Sequence, residues 1–174
     1  MRWVGGAFRR AGRSVNVQLM AEIDNAALAA LLHIYGLKTE ILAPDAEIPG
    51  SFWGAPEAGL VKDTLYIRPD TPVHSALHEA SHWICMDEAR RHQLHTDAGG
   101  TVQEECAVNY LQILLAERLS DVGREQMLKD MTAWEYSYRE GSVYAWLAGD
   151  GQEALQWLND YGIAEGETLT MRKR

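Results

Sequence analysis

Thr71-Pro-Val-His-Ser-Ala-Leu-His-Glu-Ala-Ser-His-Trp83 sets two imidazoles four residues apart, with a carboxylate directly after the first. Thr71 is a good helix cap, and Pro72 suits the first helical position, where its missing N–H leaves nothing unsatisfied. Val73, Leu77, Ala80 and Ile84 recur at helical spacing, so the stretch reads as a helix with an apolar stripe. On such a helix, residues i and i+4 stand one above the other. His78 and His82 then offer two nitrogens to one metal ion, and Glu79 is placed to activate water there. His74, one turn earlier, reads as a partly exposed residue near the helix start.

Two His need at least one further protein ligand, with positions left open for water and substrate. Asp87 to Gly100 is polar and ends in Gly99-Gly100, which predicts a loop with a helical extension through Arg91; it offers His92 and His95. A second helix is expected from Thr101 to about Leu119, and it offers Glu104 and Glu105. Thr101-Val-Gln-Glu104 has the spacing of a capping box, which assigns Glu104 to the backbone N–H of Thr101. Glu105 shares its face with Asn109 and Gln112, and an amide four residues on suits a hydrogen bond to a liganding His. The expected site is therefore His78, His82 and Glu105 as metal ligands, Glu79 as the catalytic base, and Asn109 and Glu104 in support. Glu104 stays open as the alternative third ligand. The same acids and amides also fit an ordinary solvated helix face.

Upstream, Ile23 to Tyr35 has helical composition with Gly36 as its stop. Lys38 to Ala43 alternates as a strand does, and Thr64 to Arg68 is the clearest strand of the chain. Between them, Pro44 to Gly50 is turn-rich, and Ser51 to Gly59 carries Phe52 and Trp53 among Gly and Pro. Downstream, Asp121 to Ala133, Trp134 to Leu147 and Gln152 to Tyr161 read as helices. Trp134, Tyr136, Tyr138, Tyr144, Trp146 and Trp157 read as core aromatics. A helix, a few strands and then helices predict an α+β fold.

With 174 residues, 47% hydrophobic and 24% charged, the chain suits one soluble domain with a full-sized core. Residues 1–20, with Arg2, Arg9, Arg10 and Arg13, read as a poorly ordered tail, and 21–174 as a single metallo-domain with a helical C-terminal part. No apolar run approaches a membrane span. The net charge of −9 argues against nucleic acid as partner and suits a peptide or protein substrate of basic character. Cys85 and Cys106 make no disulfide framework and read as buried thiols, and the expected location is the cytoplasm.

A helical His-Glu-x-x-His followed by a helix-borne Glu resembles the gluzincin-type zinc metallopeptidases. Their third-ligand helix reads Glu-x-x-Ala/Ser-Asp/Asn, and Glu105-Cys-Ala-Val-Asn109 is similar to it, with Val in place of the small residue. The resemblance implies a zincin-like fold, a small sheet packed on the two ligand helices. It also implies an edge strand over the metal that binds the peptide, supplied by Phe52 to Gly59 or by Thr64 to Arg68.

Ser75-Ala-Leu-His-Glu-Ala-Ser-His-Trp-Ile-Cys-Met-Asp-Glu-Ala-Arg-Arg91 is also similar to the corresponding stretch of the elongation factor P hydroxylase family. Leu42-Ala-Pro-Asp-Ala-Glu-Ile-Pro49 looks like that family's Pro-Ala-Asp-Ala-Glu-Val-Pro. That resemblance implies an iron hydroxylase with the same three ligands, His78, His82 and Glu105. Gln93 to Gly100 lacks the aromatic-rich segment of that family, so kinship of fold is expected before identity of substrate. Two His and one carboxylate suit both Zn²⁺ and non-haem Fe²⁺. A zinc peptidase-like hydrolase is placed first, an iron hydroxylase second, and a non-catalytic metal-binding or metal-free scaffold third.

Overall fold

The computed structural model describes residues 16–134, 136, 138 and 140–171. The tail expected at the N-terminus lies outside the described residues up to position 15. Val17 and Met20 beyond it are buried. The fold is mixed α+β: seven helices, a three-stranded sheet and a two-stranded ribbon among the described residues.

Helix α1, Asn25–Ile34, starts where the Asp24 carboxylate accepts from the N–H groups of Ala26 and Ala27, satisfying two of the orphan donors at its first turn. It stops at Gly36, whose φ of 81° no branched side chain adopts cheaply. Strand β1, Lys38–Ile41, runs parallel to β3, Thr64–Ile67, and β2, Gly59–Val61, runs antiparallel to β3. The spatial order β1-β3-β2 puts β3 in the centre. Leu60, Leu65 and Ile67 are wholly buried, so the sheet hides one apolar face as period-two alternation requires.

Helix α2, Val73–Cys85, carries the His-Glu-x-x-His motif. Its start departs from expectation by one residue: Pro72 is the cap, in extended conformation, and Thr71 does not cap. The Thr71 hydroxyl instead accepts from the Arg68 N–H at 2.9 Å. The chain at 18–20 explains the shift, because Gln18 O accepts the Val73 N–H and Met20 N–H bonds to Thr71 O. Backbone from a distant segment has replaced the local cap.

Helix α3, Glu88–Gln93, is a separate element capped by Asp87, where a loop with an extension was expected. Helix α4, Val102–Ala116, begins at the Thr101 cap. Helix α5 spans Gly123–Ala133, α6 Val143–Ala148 and α7 Gly151–Asp160. The helix expected over Trp134 to Leu147 is thus only its last part, beginning where the Ser142 hydroxyl accepts from the Ala145 N–H. A hairpin of β4, Ala164–Glu165, and β5, Thr168–Leu169, closes the described chain. None of the helices is long and apolar enough to cross a membrane, among the described residues.

Helix α2 packs on β2 and β3 and also against α4, which in turn packs on α5 and α7. Both central helices are therefore covered on nearly every side. Leu77, Ala80, Leu111 and Ile113 have no exposure, and each large apolar side chain so buried contributes about 1.5–3 kcal/mol. Trp134 and Trp146 are buried as expected of core aromatics, whereas Tyr144 is exposed and Trp157 stacks on exposed Tyr161 at 4.0 Å. Neither cysteine is in a disulfide; Cys85 is buried and Cys106 half-buried.

Candidate metal centre

The contact between α2 and α4 brings His78, His82 and Glu105 together, from helices that meet nowhere in sequence. The two Nε2 atoms are 3.2 Å apart. Glu105 bridges them, with Oε1 3.3 Å from His78 Nε2 and Oε2 3.5 Å from His82 Nε2. Tetrahedral zinc with bonds of 2.0–2.2 Å needs donor–donor edges of about 3.3–3.6 Å, and right-angled coordination at the same bond lengths needs about 2.8–3.1 Å. The two edges to Glu105, 3.3 and 3.5 Å, fall in the tetrahedral range, and the 3.2 Å edge between the imidazoles falls between the two ranges.

The His78 tautomer follows from its far side. His78 Nδ1 lies 2.8 Å from Gln112 Oε1, an acceptor, so Nδ1 keeps a proton and Nε2 is the nitrogen that would release its own to a metal. The Gln112 amide also faces the hydroxyl of Tyr136, whose ring packs edge-on to His78. Gln112 was visible in the sequence as a neighbour of Glu105, yet the supporting amide was expected at Asn109. That expectation is corrected: Asn109 is fully buried, and neither its Oδ1 nor its Nδ2 has a hydrogen-bond partner. One further helical turn was needed to reach across to His78.

Glu104 is also settled by geometry. The Thr101 hydroxyl accepts from the Glu104 N–H at 3.2 Å, but the Glu104 carboxylate does not fold back to close the box. It pairs with Arg90 at 2.8 Å, and Arg90 also donates to Ala98 O at 2.7 Å. Glu104 thereby ties α3 and the loop before α4 together, outside the His78–His82–Glu105 group. His92 is exposed and 3.8 Å from Glu88, and His95 bonds Thr96; neither joins the group. His74, expected to be partly exposed, is 1% exposed. It packs on Trp134 and its Nδ1 is 3.2 Å from the Tyr136 hydroxyl.

The electrostatics reflect a group of donors that attracts a cation. Burial penalises a charged His78, but the hydrogen bond and charge of Glu105 outweigh it and raise His78 to about 9. Burial lowers His82 to about 4 and His74 to about 3. Burial raises Glu79 to about 7 against the pull of His78. Burial would raise Glu105 as well, yet its bond to His78 holds it below the usual carboxylate range. Arg90, which acts on His82 by its charge, is engaged by Glu104 and Ala98.

A cleft of about 230 Å³ opens over these donors, lined by Glu79, by Phe52 and Trp53, and by the loop from Thr96 to Val102. Ser75 on α2 anchors one wall, since its hydroxyl accepts from the Ala58 N–H at 3.1 Å. Gly99 and Gly100, with φ of 59° and 123°, shape the other. A Cβ on Gly100 would meet Glu104 Oε1 at 2.9 Å.

Of the two segments expected to supply a peptide-binding edge, Thr64 to Arg68 is corrected, while Phe52 to Gly59 contributes Phe52 and Trp53 to the cleft. Thr64–Ile67 is the central strand, and the outward groups of Leu60 on β2 are already used. Leu60 N–H bonds Gly50 O at 3.3 Å, and its carbonyl accepts from Thr96 N–H at 3.0 Å. Gly59 permits this closure, because a Cβ there would lie 2.1 Å from Pro49 O. Comparison with protein-family models, curated proteins and solved structures finds no match to this chain.

Proposed function

We propose that the chain is a metal-dependent enzyme, a zinc peptidase-like hydrolase of zincin-like build acting on a peptide or protein. The observation that carries this reading is the set of donor separations of 3.2, 3.3 and 3.5 Å among His78, His82 and Glu105. In the metal-free protein a proton on His78, shared with Glu105, holds these atoms this close, and a divalent cation would take that proton's place. The tetrahedral edge length supports zinc ahead of iron.

When bound, the metal supplies Lewis acidity toward a carbonyl oxygen and acidifies water at its open position. His78, His82 and Glu105 would hold it, with Gln112 keeping a proton on His78 Nδ1. Glu79 lines the cleft beside the donors. As general base it accepts a proton from the attacking water and returns it to the leaving amine, which balances the hydrolysis of an amide. Burial raises Glu79 to about 7 in the metal-free protein, and a cation bound at the donors would act against that rise.

The test is elemental analysis of full-length protein purified without added metal, followed by the Glu79→Gln variant. Stoichiometric zinc is expected, and Glu79→Gln should retain it while losing about 10²–10⁴-fold of amide hydrolysis. Iron with O₂-dependent turnover that survives Glu79→Gln would replace the reading with a hydroxylase. A protein that takes up no metal would make it a scaffold.

A further inference from the structure

Three of the chain's exposed large apolar side chains, Phe52 (52%), Trp53 (49%) and Val102 (56%), are gathered on the rim of this one cleft. Phe52 and Trp53 meet edge to face at 4.9 Å, so they form one aromatic surface and not two scattered residues. Exposed apolar residues scattered singly need no explanation, but a cluster rimmed by polar groups at a concave site marks binding. Among the described residues, the carboxylates lining the cleft are Glu79, Asp97 and Glu105, and no Lys or Arg lines it. Away from the metal donors, an anionic side chain entering there meets the carboxylates of Glu79 and Asp97.

Resting on the hydrolase reading, we propose that the cleft takes a peptide through a large apolar side chain seated against Phe52, Trp53 and Val102, and that it rejects acidic residues at that position. Recognition is by this side chain, because strand addition at Leu60 is closed by Gly50 and Thr96. The residue next to the metal-directed carbonyl supplies the side chain.

Three metal-directed probes that differ only in side chain test this on the zinc-loaded full chain: the hydroxamates of N-acetylglycine, N-acetylphenylalanine and N-acetylaspartate. Zinc stoichiometry is measured first, and binding is then followed by calorimetry. The phenylalanine probe is expected to bind about tenfold or more tighter than the glycine probe, from burial of its ring. The aspartate probe should bind more weakly than glycine. In Phe52→Ala/Trp53→Ala, two exposed loop positions, the ratio of phenylalanine to glycine affinity, both measured in that variant, should fall to about threefold or less.

Equal affinity of the three probes, or an advantage that survives the double substitution, overturns the proposal. So does failure of every probe on zinc-loaded protein. A dimer that dissociates in the double variant would reassign the surface to a second copy of the chain, and also overturns it. Failure to load zinc is a separate result that removes the hydrolase reading itself.

Discussion

His78 Nδ1 stands 2.8 Å from Gln112 Oε1 across the contact between α2 and α4. This bond decides which nitrogen of His78 faces Glu105 and His82, so a residue that touches no substrate sets the donor atom of the site. Replacing Gln112 by Leu keeps the volume and removes the acceptor. Zinc affinity should fall about 10–100-fold, measured by competition with a chromophoric chelator, and Gln112→Glu should restore it. Unchanged affinity in Gln112→Leu would mean that packing alone orients His78.

Glu104 and Glu105 are adjacent in sequence and differ in role. Glu105→Gln should abolish tight zinc binding, because the amide brings no charge to offset the cation. Glu104→Gln should leave zinc affinity within about threefold and lower stability by about 1 kcal/mol, since Arg90 loses its partner. Chelator competition and urea unfolding of both variants separate the effects.

Stability of the metal-free protein should peak at about pH 6–6.5. His74 and His82, lowered to about 3 and 4, stay neutral in the fold while the unfolded chain takes up protons below about 6.5. Their contribution is full above that pH and is lost as pH falls. Glu79, raised to about 7, acts oppositely between about 4.5 and 7, leaving a net acid-side loss of about 1.4 kcal/mol per pH unit at the steepest. His78, raised to about 9, stabilises below the unfolded value, and that contribution is lost as pH rises through 9. Urea unfolding across pH with a chelator present checks this, and a flat profile from pH 5 to 9 would contradict it. Zinc in place of the proton should remove the alkaline loss.

Gly100→Ala should deform the loop wall of the cleft. At φ 123° the new Cβ lies 2.9 Å from Glu104 Oε1, so the Arg90–Glu104 pair must shift. A loss of about 1–3 kcal/mol in unfolding free energy is expected. Zinc affinity should change little, because Glu105 is held by α4. A variant as stable as the parent would show that the wall yields at no cost.

The His-Glu-x-x-His helix, its apolar stripe and the carboxylate at Glu105 were legible from residue order, because helical periodicity and ligand spacing are local properties of the chain. So were the α+β class and the Thr101 cap. What the local code missed were outcomes of competition between segments. Thr71 lost its cap role to backbone from 18–20, Trp134 to Leu147 formed a helix only after Ser142, and β4 and β5 were too short to leave a pattern.

The sequence by itself determined that His78, Glu79 and His82 ride one helix and that a third donor was on offer from Glu104, Glu105, His92 or His95. Only the tertiary structure decided that Gln112 and not Asn109 meets His78, since that depends on how α4 crosses α2. It likewise decided that Glu104 serves Arg90, that Leu60 is closed to an added strand, and that Phe52 and Trp53 stand over the donors. Each of these is a contact between residues far apart in the chain. Such contacts are set by the joint packing of two surfaces, which neither surface encodes alone.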